Sequence, residues 1–135
     1  MHMVDFGFST YYIKSGGIHI EQEELDTFRG NMIFASVNQL EFMTTSRRDD
    51  LISLCYLLTY MINEGKIQGL ILDSNLSQIE TFKNAKAAKK AHTMQNLCVD
   101  NAACLVQFVY EIFTLKFKDE PDYNNLKDLL TTALG

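Results

Sequence analysis

With 135 residues, of which 47% are hydrophobic, the chain suits one domain with one core. Twelve Lys and Arg against 17 Asp and Glu leave a net charge of −5, which argues against a nucleic-acid-binding surface. Three cysteines, Cys55, Cys98 and Cys104, without a C-x-x-C pair, argue against a disulfide framework or a structural zinc site. They read as buried free thiols of a reduced, intracellular protein.

Met1 to Val4 run straight into Asp5 with no charged or long apolar leader, so no signal peptide is evident. The first forty-five residues sustain no helical period. Met3-Val4 and Phe8 to Ile13 read as short extended segments on either side of Asp5-Phe6-Gly7. Lys14 to Asp26, with Gly16-Gly17 and the acidic run Glu21 to Glu24, reads as a long exposed loop. Loops of that length in compact domains are functional or disordered.

Ser46, with Asp49 three residues on, has the form of a capping box and opens a helix over about Arg47 to Asn63. Leu51, Ile52, Leu54, Cys55, Tyr56, Leu57, Leu58, Tyr60, Met61 and Ile62 make this helix apolar nearly all round. Such a pattern predicts burial on every side and a central strut of the fold. Leu51 to Ile62 falls short of the about 20 residues needed to cross a bilayer, so the chain reads as soluble and not membrane-spanning.

Asn63-Glu64-Gly65 ends the helix. Ser74 or Asn75 can cap a second one to about Ala91, with Leu76, Ile79 and Phe82 on one face. Lys83, Lys86, Lys89 and Lys90 read as a solvated basic stripe, with a docking or nuclear-import patch as the functional alternative. Asp100 or Asn101 can cap a third helix to about Leu115. Pro121-Asp122 sets a turn before a final helix, Tyr123 to Leu134. The expectation is a mainly α single unit with an irregular front.

Several motifs then fall in a telling order: Val4-Asp5-Phe6-Gly7, Phe28-Arg29-Gly30-Asn31, Phe34-Ala35-Ser36-Val37-Asn38 and Ser46-Arg47-Arg48-Asp49-Asp50-Leu51. Ser53-Leu54, Tyr56, Leu115-Lys116-Phe117 and Lys118-Asp119-Glu120-Pro121-Asp122-Tyr123 follow. Together they resemble the second half of a protein kinase domain from its Asp-Phe-Gly motif onward. The Ser-Val-Asn in place of Ala-Pro-Glu resembles the casein kinase 1 family and its tau-tubulin-kinase relatives.

The resemblance spans essentially the whole chain. It implies a partial kinase C-lobe with no N-lobe: Asp-Phe-Gly and activation segment over residues 1–45, and a helical subdomain over 46–135 with helices resembling F, G, H and I. In it Asp5, Phe6 and Gly7 match the cofactor-binding motif, with Asp5 on magnesium, a hard cation that favours carboxylate and phosphate oxygens. Gly30, Asn31, Ser36 and Asn38 belong to the substrate-facing end of the activation segment. Asp50 matches the structural brace of the catalytic loop. For Asp50 the local reading, a carboxylate favoured at a helix N-terminus, is compatible with that role.

The same resemblance places the glycine-rich loop, the phosphate-binding lysine, its glutamate partner and the His-Arg-Asp loop before Met1. The chain alone then has no catalytic base and is expected to be inactive. ATP, magnesium and a protein substrate belong to the complete kinase, a serine/threonine phosphotransferase of the cytoplasm and, as a second compartment, the nucleus.

Departures from the family include Asn31 for a threonine, Ile33 for an anion-binding arginine, Cys55 for a glycine and Gln68-Gly69 for Pro-Trp. Arg29 reads as a surface ion-pair partner or as a substitute for the missing arginine. His2, His19 and His92 are scattered and read as exposed side chains rather than metal ligands. Ser36 lacks a G-x-S-x-G elbow and so is no hydrolase nucleophile. The alternative function is a non-catalytic kinase-lobe protein that binds another protein through the apolar faces its lost neighbours would have covered. A self-sufficient lobe should have replaced those apolar surfaces, yet Leu51 to Ile62 stays apolar on all faces, so exposed apolar patches and marginal stability or aggregation are expected.

Overall fold

A computed structural model describes residues 1–135. Six α-helices are present: α1 (Val37–Leu40), α2 (Arg47–Ile62), α3 (Gln78–Lys90), α4 (Met94–Leu97), α5 (Val106–Phe113) and α6 (Tyr123–Leu134). A 3-10 turn over Asp100–Leu105 feeds α5. The core joins Cys55 and Tyr56 of α2 with Leu97, Cys98, Ala102 and Leu105, then Phe108, Val109 and Ile112 of α5 and Leu126 of α6.

The helix ends follow from local chemistry. At α2 the Asp49 carboxylate accepts the Ser46 backbone N–H at 2.9 Å. Past its C-terminus Glu64 takes a left-handed backbone (φ 53), and Gly65 N–H closes back on the Tyr60 carbonyl at 2.7 Å. Asn63 then clamps the next element: its Nδ2 donates to Val99 O at 3.1 Å and its Oδ1 accepts from Ala102 N at 3.2 Å. The last helix has the predicted bounds, with Asp122 accepting the Asn125 N–H at 3.0 Å. Asp122→Ala is expected to lower unfolding free energy by about 1 kcal/mol in urea titrations.

Several expectations change. The extended segments around Asp5 form no strands: the irregular front has only isolated bridges, Ile13 with His19 and Glu24 with Met43. A strand needs a pairing partner along its length, and Phe8 to Ile13 finds one only at its end, where Ile13 bridges His19 and the Ile20 N–H donates to the Tyr12 carbonyl. The second helix starts at Ser77, whose hydroxyl accepts from Glu80 N while Glu80 accepts from Ser77 N, a complete box that Ser74 and Asn75 lack. The third helix is split, its first turns wound as a 3-10 helix after Asp100 adopts φ 53.

Most consequential, α2 is not buried on every side. Cys55, Tyr56 and Thr59 face the core, while Leu57 is exposed and Met61 is 65% exposed. Only 22 of the 135 residues are buried, so the core is small for the chain.

Cys55 and Cys98 are buried as expected, but Cys104 is exposed. Burial pushes the Cys98 thiol up to about 11. His2 is exposed as expected, but the other two histidines depart from that reading. His19 is half-buried, edge-on to Phe117 with ring centroids 5.1 Å apart. His92 is half-buried between the Tyr56 hydroxyl at 3.2 Å and the Gln68 carbonyl at 2.6 Å. Since a carbonyl only accepts, Nε2 of His92 carries the proton and Nδ1 accepts from Tyr56. Arg29 has no ion pair; its guanidinium lies 5.9 Å from the Phe8 ring centroid. An exposed pair, Lys118 with Glu21, ties the acidic loop to the turn before α6 and contributes little by itself.

Candidate functional site

The candidate residues fall into two groups. Asp5, Phe6 and Gly7 lie in the exposed front. Asp5 adopts a left-handed backbone (φ 62), a conformation Asp and Asn tolerate better than most residues. Its Oδ1 accepts weakly from Gly7 N at 3.4 Å, and Ser9 N bonds to Phe6 O at 3.0 Å, so the tripeptide sits in a tight turn. Asp5 offers one hard carboxylate, a donor that suits magnesium, which takes one or two protein carboxylates along with nucleotide oxygens. No three His, Cys, Asp or Glu side chains gather anywhere to make a fuller set. No hydrogen bond joins Asp5 to Gly30, Asn31, Ser36, Asn38 or Asp50.

The second group is built. Gly30 turns the chain at φ 127, where an added Cβ would stand 2.9 Å from Gln39 Nε2, so glycine is required there. Asn31 Oδ1 accepts from Ile33 N at 2.7 Å and folds the backbone into a turn. Ser36 then caps α1.

The resemblance puts Ser36 and Asn38 at the substrate-facing end of the segment. In the structure Ser36 is fully buried and Asn38 half-buried, and both side chains point at Asp49. Ser36 Oγ donates to Asp49 Oδ1 at 2.8 Å and Asn38 Nδ2 donates to the same oxygen at 3.0 Å. Both side chains therefore tie the segment to Asp49 from beneath. With the Ser46 N–H on Oδ2, the 1% exposed Asp49 receives three donors from three places in the chain. Arg48 Nε stands 3.6 Å from Oδ2, close enough to offset the charge.

Asp49 is the residue the sequence reading missed as a site. Its capping role was visible, but its link to Ser36 spans thirteen residues of irregular chain. Asp50, the expected brace, is exposed, and desolvation by its surroundings together with the Asp49 charge raises its carboxyl above the usual range. A folded pKa above the unfolded one means that ionising Asp50 opposes folding as pH rises. Asp50→Asn is therefore expected to raise the melting temperature at pH 7 and to leave it unchanged at pH 3, by calorimetry.

The basic stripe is also revised. Lys90 pairs with Glu41 at the end of α1. Lys89, only 2% exposed, is no part of a solvated face. Its Nζ donates to the carbonyls of Met32 (3.0 Å), Ile33 (2.6 Å) and Ala35 (2.6 Å), and it lies 4.2 Å from the Tyr56 ring centroid. Burial pushes its ammonium down to about 7. Phe28 and Phe42 both pack on Phe82 of α3, so the segment is docked on α3 along its length. Behind α3, Gln68, Gly69, Ala87, Ala88, Ala91 and His92 line an open groove of about 300 Å3.

These features define a docked, capped loop in front of a helical unit. No family model matches the chain. Among curated proteins it is similar to a probable casein kinase I homolog of Encephalitozoon cuniculi, 29% identical over 132 residues, which are 96% of this chain and 41% of that protein. It is 29% identical over 137 residues to casein kinase I homolog 2 of Schizosaccharomyces pombe, covering 99% of this chain and 31% of the relative. It is 32% identical over 133 residues to casein kinase 1-like protein HD16 of Oryza sativa subsp. japonica, covering 96% and 18%. The chain is thus related to protein kinases. Within them it is homologous to casein kinase I proteins over nearly all of its own length, and it spans less than half the length of these relatives.

Proposed function

We propose that the chain is the C-terminal part of a casein kinase 1-like serine/threonine kinase domain, residues 1–45 being the Asp-Phe-Gly and activation segment and 46–135 the helical subdomain. The homology across 96–99% of the chain, with Asp5-Phe6-Gly7 in its order, carries this reading. In the complete domain ATP and magnesium supply the phosphoryl group and its charge neutralisation, with Asp5 as one magnesium ligand. The segment Gly30–Asn38 presents the protein substrate. Helices α2, α3, α5 and α6 stand for kinase helices F, G, H and I. Phosphoryl transfer depends on positioning and charge stabilisation by several parts at once, and these 135 residues contribute one ligand and no catalytic base. By themselves they do not catalyse.

The test is reconstitution. The 135-residue chain, given labelled ATP, magnesium and a mixed Ser/Thr peptide library, is expected to transfer no label above buffer. Joined to the preceding part of the Schizosaccharomyces pombe relative, it is expected to transfer label. Transfer by the chain alone would overturn the account of its inactivity, and a folded but inert chimera would overturn the kinase reading.

The exposed Leu57 and Met61 of α2, with Val106 and Tyr110 of α5, favour a second reading, a lobe that binds another protein. It predicts self-association of the purified chain in light scattering; a monomer with a sharp, reversible thermal transition would count against it.

A further inference from the structure

The capping box of α1 uses only half of the Gln39 side chain. Ser36 Oγ accepts from Gln39 N at 3.3 Å, and Gln39 Oε1 accepts from Ser36 N at 3.1 Å. A glutamate at 39 would complete that box as well, and a carboxylate suits a helix N-terminus better. The amide nitrogen is therefore not required by this four-residue helix. It reaches ten residues back instead, where Nε2 donates to the Arg29 carbonyl at 3.1 Å. Gly30 leaves room for it, since a Cβ there would stand 2.9 Å from Nε2.

One amide thus bridges the two ends of the loop over residues 29–36. Its orientation is fixed, because the Ser36 N–H needs an oxygen and the Arg29 carbonyl needs a donor. Between the ends, Asn31 turns the backbone and Lys89 holds the carbonyls of Met32, Ile33 and Ala35. No other hydrogen bond holds Arg29 or Gly30. We propose that Gln39 is a positioning residue of the substrate-facing segment. Its amide sets where Gly30 and Asn31 stand relative to Ser36, and so the shape that Gly30–Asn38 offers a protein substrate. The bridge stands on the geometry alone; its effect on the reaction rests on the reading of Gly30–Asn38 as substrate-facing.

Gln39→Glu separates the two halves of the bridge, because a carboxylate still accepts from Ser36 N but has nothing to donate to Arg29 O. In the 135-residue chain the Ser36 amide should keep its exchange protection within about threefold in Gln39→Glu and lose about tenfold in Gln39→Ala. The Gly30 amide nitrogen signal reports hydrogen bonding at the preceding Arg29 carbonyl. It should shift in both variants, while Val109 and Ile112 of α5 keep their signals and their protection. In the kinase chimera both variants should raise the peptide KM at least about fivefold and leave kcat and the KM for ATP within about twofold.

A Gly30 signal that Gln39→Glu does not move would overturn the bridge, as would protection lost equally in the loop and in α5. A fall in kcat at constant peptide KM, or no kinetic change at all, would overturn the positioning role. If Gln39→Ala does not fold, Gln39→Glu, which keeps the capping box, still decides both. A chimera that is inert with Gln39 in place would refute the functional reading and the positioning role with it. The spectra of the 135-residue chain involve no substrate, so they decide the bridge separately.

Discussion

Asp49→Ala is expected to lower the unfolding free energy by about 3–5 kcal/mol, the largest stability loss of any polar substitution in the chain. The Ser36 hydroxyl, the Asn38 amide and the Ser46 N–H all point at one carboxylate, which is 1% exposed. Deleting it leaves three inward-facing donors without an acceptor, each costing about 1–3 kcal/mol where water does not enter. Hydrogen bonds to an ionised acceptor lie at the upper end of that range. Domains of this size are stable by about 5–15 kcal/mol, and a chain with so few buried residues lies toward the low end. The variant should therefore be partly unfolded at 37 °C.

Urea unfolding followed by circular dichroism is the check, with a lower midpoint at unchanged slope expected. Asp49→Asn keeps one acceptor oxygen but turns an NH2 toward the other donors, so it should fall between wild type and alanine. An alanine variant within about 1 kcal/mol of wild type would mean that the three donors find other partners and that Asp49 is not the joint between the loop and α2.

What the residues revealed in advance divides along the range of the forces involved. The start of α2 and both ends of α6 were legible because Ser46 with Asp49 and Pro121 with Asp122 act within one helical turn. The burial of Cys55 and Tyr56 followed from the apolar run around them. Lys89 was misread because lysines at 83, 86, 89 and 90 look like a solvated stripe when only spacing is visible. The carbonyls that hold it lie more than fifty residues earlier. Ser36 escaped for the same reason: its partner stands on another element, across chain with no period.

The strand expectation failed on a different ground. An extended segment becomes a strand only when a neighbour takes its N–H and C=O groups, and Phe8 to Ile13 meets a single bridge, at Ile13. The exposure of Leu57 and Met61 contradicts the pattern rule for an all-apolar helix, and it is the observation that sustains the binding-module alternative. A contradiction of that kind, between local pattern and observed burial, is where functional or missing surfaces are expected.

In a chimera that transfers phosphoryl groups, Asp5→Asn is expected to reduce turnover by about a thousandfold or more, equivalent to about 4 kcal/mol of transition-state stabilisation. Asparagine is the informative replacement because of the backbone. Asp5 holds φ 62, which asparagine adopts almost as readily, whereas alanine would mix backbone strain with the loss of charge. The side-chain oxygen that accepts from Gly7 N also survives the change. What disappears is the negative charge, and magnesium, a hard ion, discriminates strongly between a carboxylate and a neutral amide.

In the 135-residue chain the same substitution should shift the melting temperature by less than about 1 °C, because Asp5 is exposed and makes one weak contact. The pair of measurements separates two roles. Lost turnover with unchanged stability assigns Asp5 to the metal. Unchanged turnover would remove the magnesium assignment and with it the argument that residues 4–7 are the Asp-Phe-Gly of a working kinase.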